Sequence, residues 1–205
     1  MQKYLTEQET FWAGTFGDEY TTRNTDIAIE AGNVFLFSKI LSHVEKVSSV
    51  IEYGANIGLN LKAIKQLLPF VQCSAVEINE RAVKQLRMLE NAQVHHQSIL
   101  NFTPSVGYDF VLVKGVLIHI DPTQLPVVYD LLYNSSNRYI CLAEYYNPKP
   151  VEVSYRGFRD RLFKRDFAGE MLDRFPSLRL VSYGFAYHRD SCLKQDDISW
   201  FLLEK

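Results

Sequence analysis

The segment Val50-Ile51-Glu52-Tyr53-Gly54-Ala55-Asn56-Ile57-Gly58-Leu59-Asn60 holds the residues best spaced for chemistry. An apolar run ends in an acid, and two glycines four positions apart follow before a helix-like pattern begins. Glycine at a strand-to-helix junction admits positive φ and lets a ligand approach main-chain N–H groups that a Cβ would shield. A second acid, Glu77, closes the next apolar run, Val71 to Val76. Two carboxylates at neighbouring strand tips suit the hydroxyls of a ribose, so the loop reads as a nucleotide-cofactor turn.

The spacing Gly54-Ala-Asn-Ile-Gly58 followed by Leu-Asn-Leu fits neither G-x-G-x-x-G nor G-x-x-x-x-G-K-[ST]. It resembles the first motif of class I S-adenosylmethionine (SAM) methyltransferases, acid-x-G-x-G-x-G, with Asn56 at the middle glycine. Tyr108-Asp109-Phe110-Val111-Leu112-Val113-Lys114-Gly115-Val116-Leu117-Ile118-His119-Ile120-Asp121-Pro122 resembles the fourth motif, in which an Asp opens a buried strand. The resemblance implies an α/β, Rossmann-like class I methyltransferase fold with SAM as cofactor. Its sheet would have seven mostly parallel strands, a C-terminal antiparallel β-hairpin and an N-terminal helical lid.

The alternation of patterns agrees with that fold. Aromatic residues Phe11, Trp12, Phe16 and Tyr20 lie among charges in a helical arm over Leu5 to Tyr20. Ile27, Ala31, Val34, Phe37, Leu41 and Val44 step by three or four, predicting a helix from Asp26 to Val44 capped by Asn24 or Thr25. Strands follow at Ser49 to Tyr53, Gln72 to Val76, Gln93 to His96, Asp109 to Lys114 and Tyr139 to Ala143. Helices separate them at Ile57 to Leu68, Glu80 to Asn91 and Pro122 to Tyr133, a pattern that demands a parallel sheet covered on both faces. A helix from Asp166 to Phe175 and two successive strands, Arg179 to Tyr187 and Ile198 to Leu203, close the chain. With 205 residues, one domain is expected: 1–45 as helical cap, 46–145 as cofactor-binding core and 146–205 as substrate-side segment and closing hairpin.

Within such a sheet, ligands bind beyond the carboxyl ends of the strands where the strand order reverses. Glu77 is expected on the ribose hydroxyls, Ile78 over the adenine face, and Ser98 (where many relatives carry Asp) with Ile99 at the adenine edge. Glu52 should orient the loop by accepting backbone N–H bonds. Backbone at Gly54 and the Lys114 carbonyl would hold the methionyl ammonium, while Asn60 suits either end. Arg23 serves equally as partner of the methionyl carboxylate or as a surface salt bridge. Trp12 and Tyr20 would close the arm over this pocket, with Asn56 and Gly58 shaping it. For proton transfer His119 and Tyr146 are the candidates. His119 follows the fourth-motif strand and an imidazole titrates near neutrality, although a core or capping histidine reads as well there.

Further segments resemble the pseudaminic acid biosynthesis-associated methylases: Phe11-Trp12-Ala13-Gly14-Thr15-Phe16-Gly17-Asp18-Glu19-Tyr20, Tyr145-Tyr146-Asn147-Pro148, Tyr155-Arg156-Gly157 and Leu162 to Gly169. That family implies methylation at O or N of a nonulosonic sugar or its nucleotide-linked precursor. Arg156, Arg159, Arg161, Lys164 and Arg165, set against Asp160, could grip an anionic group, with Tyr145, Tyr146 and Tyr155 offering flat faces and hydroxyls to a sugar and Asn147 beside them. The same cations also read as a solvated helix face paired with Asp166 and Glu170. RNA or another small molecule as acceptor, or SAM binding without turnover, are the competing readings.

A net charge of −2 and a pI near 6.2 argue against a global grip on nucleic acid. No apolar run reaches the roughly 18 residues of a membrane span, and no signal-like core opens the chain, which points to the cytoplasm. Cys73 and Cys141 fall in predicted strands and Cys192 in a polar loop, without a C-x-x-C pair; the five histidines are scattered. No metal site is expected, and the partner is a small acidic sugar or sugar nucleotide met by a monomer or homodimer.

Overall fold

Strand-forming apolar runs assemble into one sheet of order β3-β2-β1-β4-β5-β9-β8 in the computed structural model, which describes residues 4–23, 27–190 and 195–205. The parallel set is β1 (Ser49–Tyr53), β2 (Gln72–Glu77), β3 (Ala92–His96), β4 (Tyr108–Lys114) and β5 (Ser136–Glu144). β8 (Arg179–Ala186) and β9 (Ile198–Glu204) form the antiparallel hairpin, with β9 inserted between β5 and β8. Glu204 fixes that insertion by accepting from Arg138 Nε (2.7 Å) on β5 and pairing with Arg179 on β8. The seven-stranded, mostly parallel sheet is the expected architecture, and the order reverses between β1 and β4.

Alternation along each strand sends neighbouring residues to opposite faces. One face buries Ile51, Tyr53, Val111, Val113, Ile140 and Leu142 under α6 (Leu125–Ser135) and α7 (Phe167–Arg174). The other buries Val50, Phe110, Leu112, Cys141 and Trp200 under α3 (Ile27–Leu41) and α4 (Leu59–Leu67). Asp109 is the second residue of β4, at the end away from the strand tips. Burial raises its pKa, but N–H and O–H donors from Ser48 and Ser49 outweigh this and hold the carboxyl below its usual range.

Several boundaries differ from the sequence pattern. The arm divides at Gly14 into α1 (Glu7–Ala13), begun by a capping box between Thr6 and Glu9, and α2 (Thr15–Tyr20). α3 ends at Leu41 rather than Val44, and its predicted caps Asn24 and Thr25 lie outside the described residues, as does Cys192. α5 (Glu80–Leu86) ends at the Arg87 cap, short of Asn91, which at φ 57° turns the chain toward β3. Helix α6 is preceded by a 3-10 turn over Pro122–Gln124, capped by Asp121. The arginine-rich flank is not a helix: β6 (Val151–Glu152) and β7 (Phe163–Lys164) form a two-stranded ribbon the pattern did not predict. Cys73 and Cys141 are buried free thiols. Among the described residues no helix is long and apolar enough to cross a membrane.

Candidate active site

The carboxyl ends of β1, β2 and β4 open into a cleft of about 540 Å³, roofed by α1 and α2. Its floor is the β1–α4 loop. Gly54 has φ 72°, and a Cβ there would stand 2.5 Å from a Val116 methyl; Gly58 has φ 82° at the start of α4. Asn56 sits at φ 48°, and asparagine is one of the few non-glycine residues that adopt the left-handed region readily. The substitution of the middle motif glycine therefore preserves the turn.

The loop's amides are already used. Gly54 and Ala55 N–H donate to Val76 O (2.8 and 3.2 Å), and Asn56 N–H donates to Glu77 Oε2 (2.7 Å). Glu77 Oε1 accepts from Asn79 N (2.7 Å). Burial raises the Glu77 pKa, and the N–H donors of Asn79, Asn56 and Ile78 oppose that rise. The carboxylate is thus pinned at the β2 tip, on the cleft wall, with its second lone pairs left for a ligand. Ile78, Ser98, Ile99 and Leu100 continue the wall beside it, with Ser98 Oγ accepting from Leu100 N (3.1 Å).

Glu52 departs from its expected role. Its partner is a side chain, not the loop backbone: Asn60 Nδ2 donates to Glu52 Oε1 (2.6 Å), beneath the cleft rather than in its wall. Complete burial, only partly offset by Asn60 and the Lys114 charge, pushes its pKa up to about 8. Asn60 and Lys114 themselves line the cleft. Burial pulls the Lys114 pKa down against the attraction of Glu52, Asp196 and Glu144. Glu144, buried at the β5 tip, accepts from Val116 and Leu117 N–H (2.9 Å each) and so anchors the turn carrying His119. Burial raises its pKa to about 7 against those donors.

His119 lines the cleft between Trp12 and Tyr155, with ring centroids 4.7 and 4.8 Å away. Its Nδ1–H donates to the Arg161 carbonyl (2.5 Å), which fixes the tautomer and leaves Nε2 as the lone-pair nitrogen, without a protein partner among the described residues. Burial drops its pKa to about 4, correcting the expectation of titration near neutrality.

Of the predicted arm residues, Trp12, Tyr20 and Arg23 all reach the cleft wall. Arg23 pairs with Glu19 (3.6 Å), and its guanidinium lies 5.2 Å from the Phe16 ring. Asn79, which the sequence reading passed over, locks the arm down. Its Nδ2 donates to Trp12 O (3.2 Å) and Asp18 Oδ1 (2.9 Å) while its Oδ1 caps α5. Glu9, Asn33, Asp121, His188 and Asp196 were also missed; they come from five separate segments that only folding brings to one wall.

The predicted substrate residues divide. Tyr145 and Tyr155 line the cleft, and Tyr145 OH donates to Asp196 Oδ2 (3.0 Å). Tyr146, Asn147, Arg156, Arg161, Lys164 and Arg165 do not line it. Tyr146 follows Tyr145 in extended chain and points to the opposite face, 5.9 Å from the Phe201 ring and 42% exposed, which removes it from proton transfer in this cleft. Asn147 Nδ2 donates to Lys149 O (2.6 Å). Arg161 pairs with Glu7 (3.0 Å) and Arg165 with Glu170 (2.7 Å), so these cations tie the ribbon to α1 and α7 instead of waiting for an anion. Lys164 lies over the Tyr145 ring at 5.4 Å. Arg156, 5.7 Å from the Tyr155 ring, has no ion-pair partner among the described residues.

Strand order, the inserted antiparallel β9 and a cleft at the switch point define the fold of SAM-dependent methyltransferases. No protein-family model and no curated protein matches the sequence. Solved structures do match the fold. A SAM-dependent methyltransferase from Leishmania major, 14% identical, superposes with TM-score 0.72 over 98% of this chain and 87% of its own. The 1,6-didemethyltoxoflavin-N1-methyltransferase of Burkholderia thailandensis, solved with 1,6-didemethyltoxoflavin and S-adenosylhomocysteine, is 10% identical with TM-score 0.70, covering 100% and 93%. The magnesium protoporphyrin IX methyltransferase of Synechocystis, solved with S-adenosylhomocysteine, is 13% identical with TM-score 0.69, covering 97% and 100%. At these identities the likeness establishes the fold.

Proposed function

We propose that this protein is a SAM-dependent methyltransferase acting at a hydroxyl or amine of a small molecule. The observation that carries the reading is the pinned Glu77 carboxylate beside a glycine-floored cleft at the switch point. The residues fit an adenosyl sulfonium. The missing Cβ of Gly54 lets the Val116 methyls pack directly on the cleft floor, Ile78 and Ile99 offer an apolar wall for a purine, and Glu77 keeps acceptor capacity for two hydroxyls. Glu9, Glu77, Asp121 and Asp196 outnumber Arg23 and Lys114 on the wall, a balance suited to a cationic ligand.

SAM supplies an electrophilic methyl on sulfur, which leaves as a neutral thioether. The chain's share is position and proton handling. Trp12 and Tyr155 exclude water around His119, and orientation alone supplies an effective molarity of about 10⁵ M or more. His119 Nε2, neutral at physiological pH, takes the proton from the acceptor oxygen or nitrogen.

For the acceptor we place a nonulosonic or related acidic sugar first, on the strength of the flanking segments' resemblance. Tyr145 and Tyr155 offer flat faces to a ring, and Arg156, against the Tyr155 ring, has no ion-pair partner among the described residues. The test incubates the protein with labelled SAM and a panel of such sugars and their nucleotide-linked precursors, read by mass spectrometry for one added methyl. Glu77→Ala should weaken SAM and S-adenosylhomocysteine by more than about tenfold. Undiminished binding in that variant would remove the ribose assignment.

A further inference from the structure

Lys114 is a half-buried cation without a counter-ion at contact distance among the described residues. It ends β4, beside Ala143 of β5, and shares a sheet face with Leu112 and with Glu52 of β1. Glu52, Glu144 and Asp196 act on it through space, yet among the described residues none hydrogen-bonds its Nζ or forms an ion pair with it. Each of the three bonds another group through one oxygen, Glu52 Oε1 with Asn60, Glu144 Oε1 with the Val116 and Leu117 amides and Asp196 Oδ2 with Tyr145, while Glu52 Oε2 and Glu144 Oε2 are buried without a hydrogen-bond partner. An ammonium partly withdrawn from water without a partner costs stability unless a ligand oxygen completes it. Lys114 lines the same cleft as Gly54, Asn60 and Glu77. Arg23, which the sequence offered equally as a carboxylate partner or a surface salt bridge, pairs with Glu19 and lies over Phe16.

We propose that Lys114 holds the α-carboxylate of the cofactor's methionyl end, an inference that rests on the SAM reading above. The ammonium supplies up to three donors to a group that Glu77 and the adenine wall do not reach. Lys114 thereby separates complete cofactor from adenosyl thioethers that lack the acid.

The test is a cycle of one ligand change and one protein change, read by calorimetry. S-adenosylhomocysteine is compared with S-adenosyl-3-thiopropylamine, which lacks only the carboxylate, in the wild-type protein and in Lys114→Met. The wild type should prefer the complete ligand by about tenfold or more. Lys114→Met should lose that preference while holding the decarboxylated ligand to within about twofold of wild type. Lys114→Arg, which keeps a cation, should retain part of the preference. Equal wild-type affinities, or a preference that survives Lys114→Met and disappears in Arg23→Gln, overturn the assignment while leaving the cofactor reading intact. If the wild type binds neither ligand, both fall.

Discussion

At His119 one hydrogen bond and one environment together set the chemistry. Donation from Nδ1 to the Arg161 carbonyl assigns the lone pair to Nε2, and enclosure by Trp12 and Tyr155 keeps the ring neutral. With a pKa near 4, the rate of methyl transfer should stay flat from pH 8 down to about 5 and fall below that with protonation. His119→Ala should lower kcat by about 10²-fold or more with cofactor affinity little changed. A profile breaking near pH 6.5 instead would mean that the imidazole is solvated. The sign for stability is separate: the unfolded chain binds a proton at this site between pH 6.5 and about 4 that the folded one refuses, so acidification over that window destabilises the fold. Glu52 works oppositely. Its pKa is raised from 4.5 to about 8, so the folded chain retains a proton the unfolded chain loses, and stability falls as pH rises through that window. Glu52→Gln should flatten that decline, a gain of roughly a few kcal/mol at pH 8, visible in urea titrations at pH 5 and 8.

The element that decides access to the site is the α1–α2 arm. It is held by Asn79, by the Arg161–Glu7 pair and by Gln8 Nε2 donating to Asp160 O (3.1 Å), and its aromatic rings pack on Tyr155 and Phe158. Gly17 makes the approach of α2 to α1 close enough, since a Cβ there would stand 1.8 Å from Trp12 O. Gly17→Ala should therefore displace the arm, costing about 1–3 kcal/mol, weakening cofactor binding and exposing residues 5–20 to limited proteolysis. Protection equal to wild type would show that the arm tolerates the shift. The aromatic spacing of this arm was visible in the sequence as a cover, and its division at Gly14 agrees with glycine's cost inside a helix. The ribbon β6–β7 was not visible. Two-residue strands carry no periodicity, and five cations in ten residues resemble a solvated helix as much as a clasp.

For the whole molecule, the sheet's two apolar faces carry the stability and the polar locks refine the order of strands. Phe110→Ala, in the fully buried α3/α4 face, should cost about 3–5 kcal/mol in denaturant unfolding. Glu204→Ala, which releases the half-exposed Arg138 and the more exposed Arg179, should cost about 1 kcal/mol. The reverse ranking would overturn the burial argument. What the sequence determined is the sheet and its switch point. Alternating apolar runs, a glycine-floored turn and acids at strand ends are local signals, because periodicity and φ preference act within a few residues of chain. What only the tertiary structure decided is which charged groups face the cleft. Arg161 and Arg165 were taken up by Glu7 and Glu170, Tyr145 took the cleft while Tyr146 took the opposite face, and Lys114 has no ion-pair partner among the described residues. A side chain's partner depends on distances between segments far apart in the chain, and burial then fixes whether its charge is free, paired or suppressed.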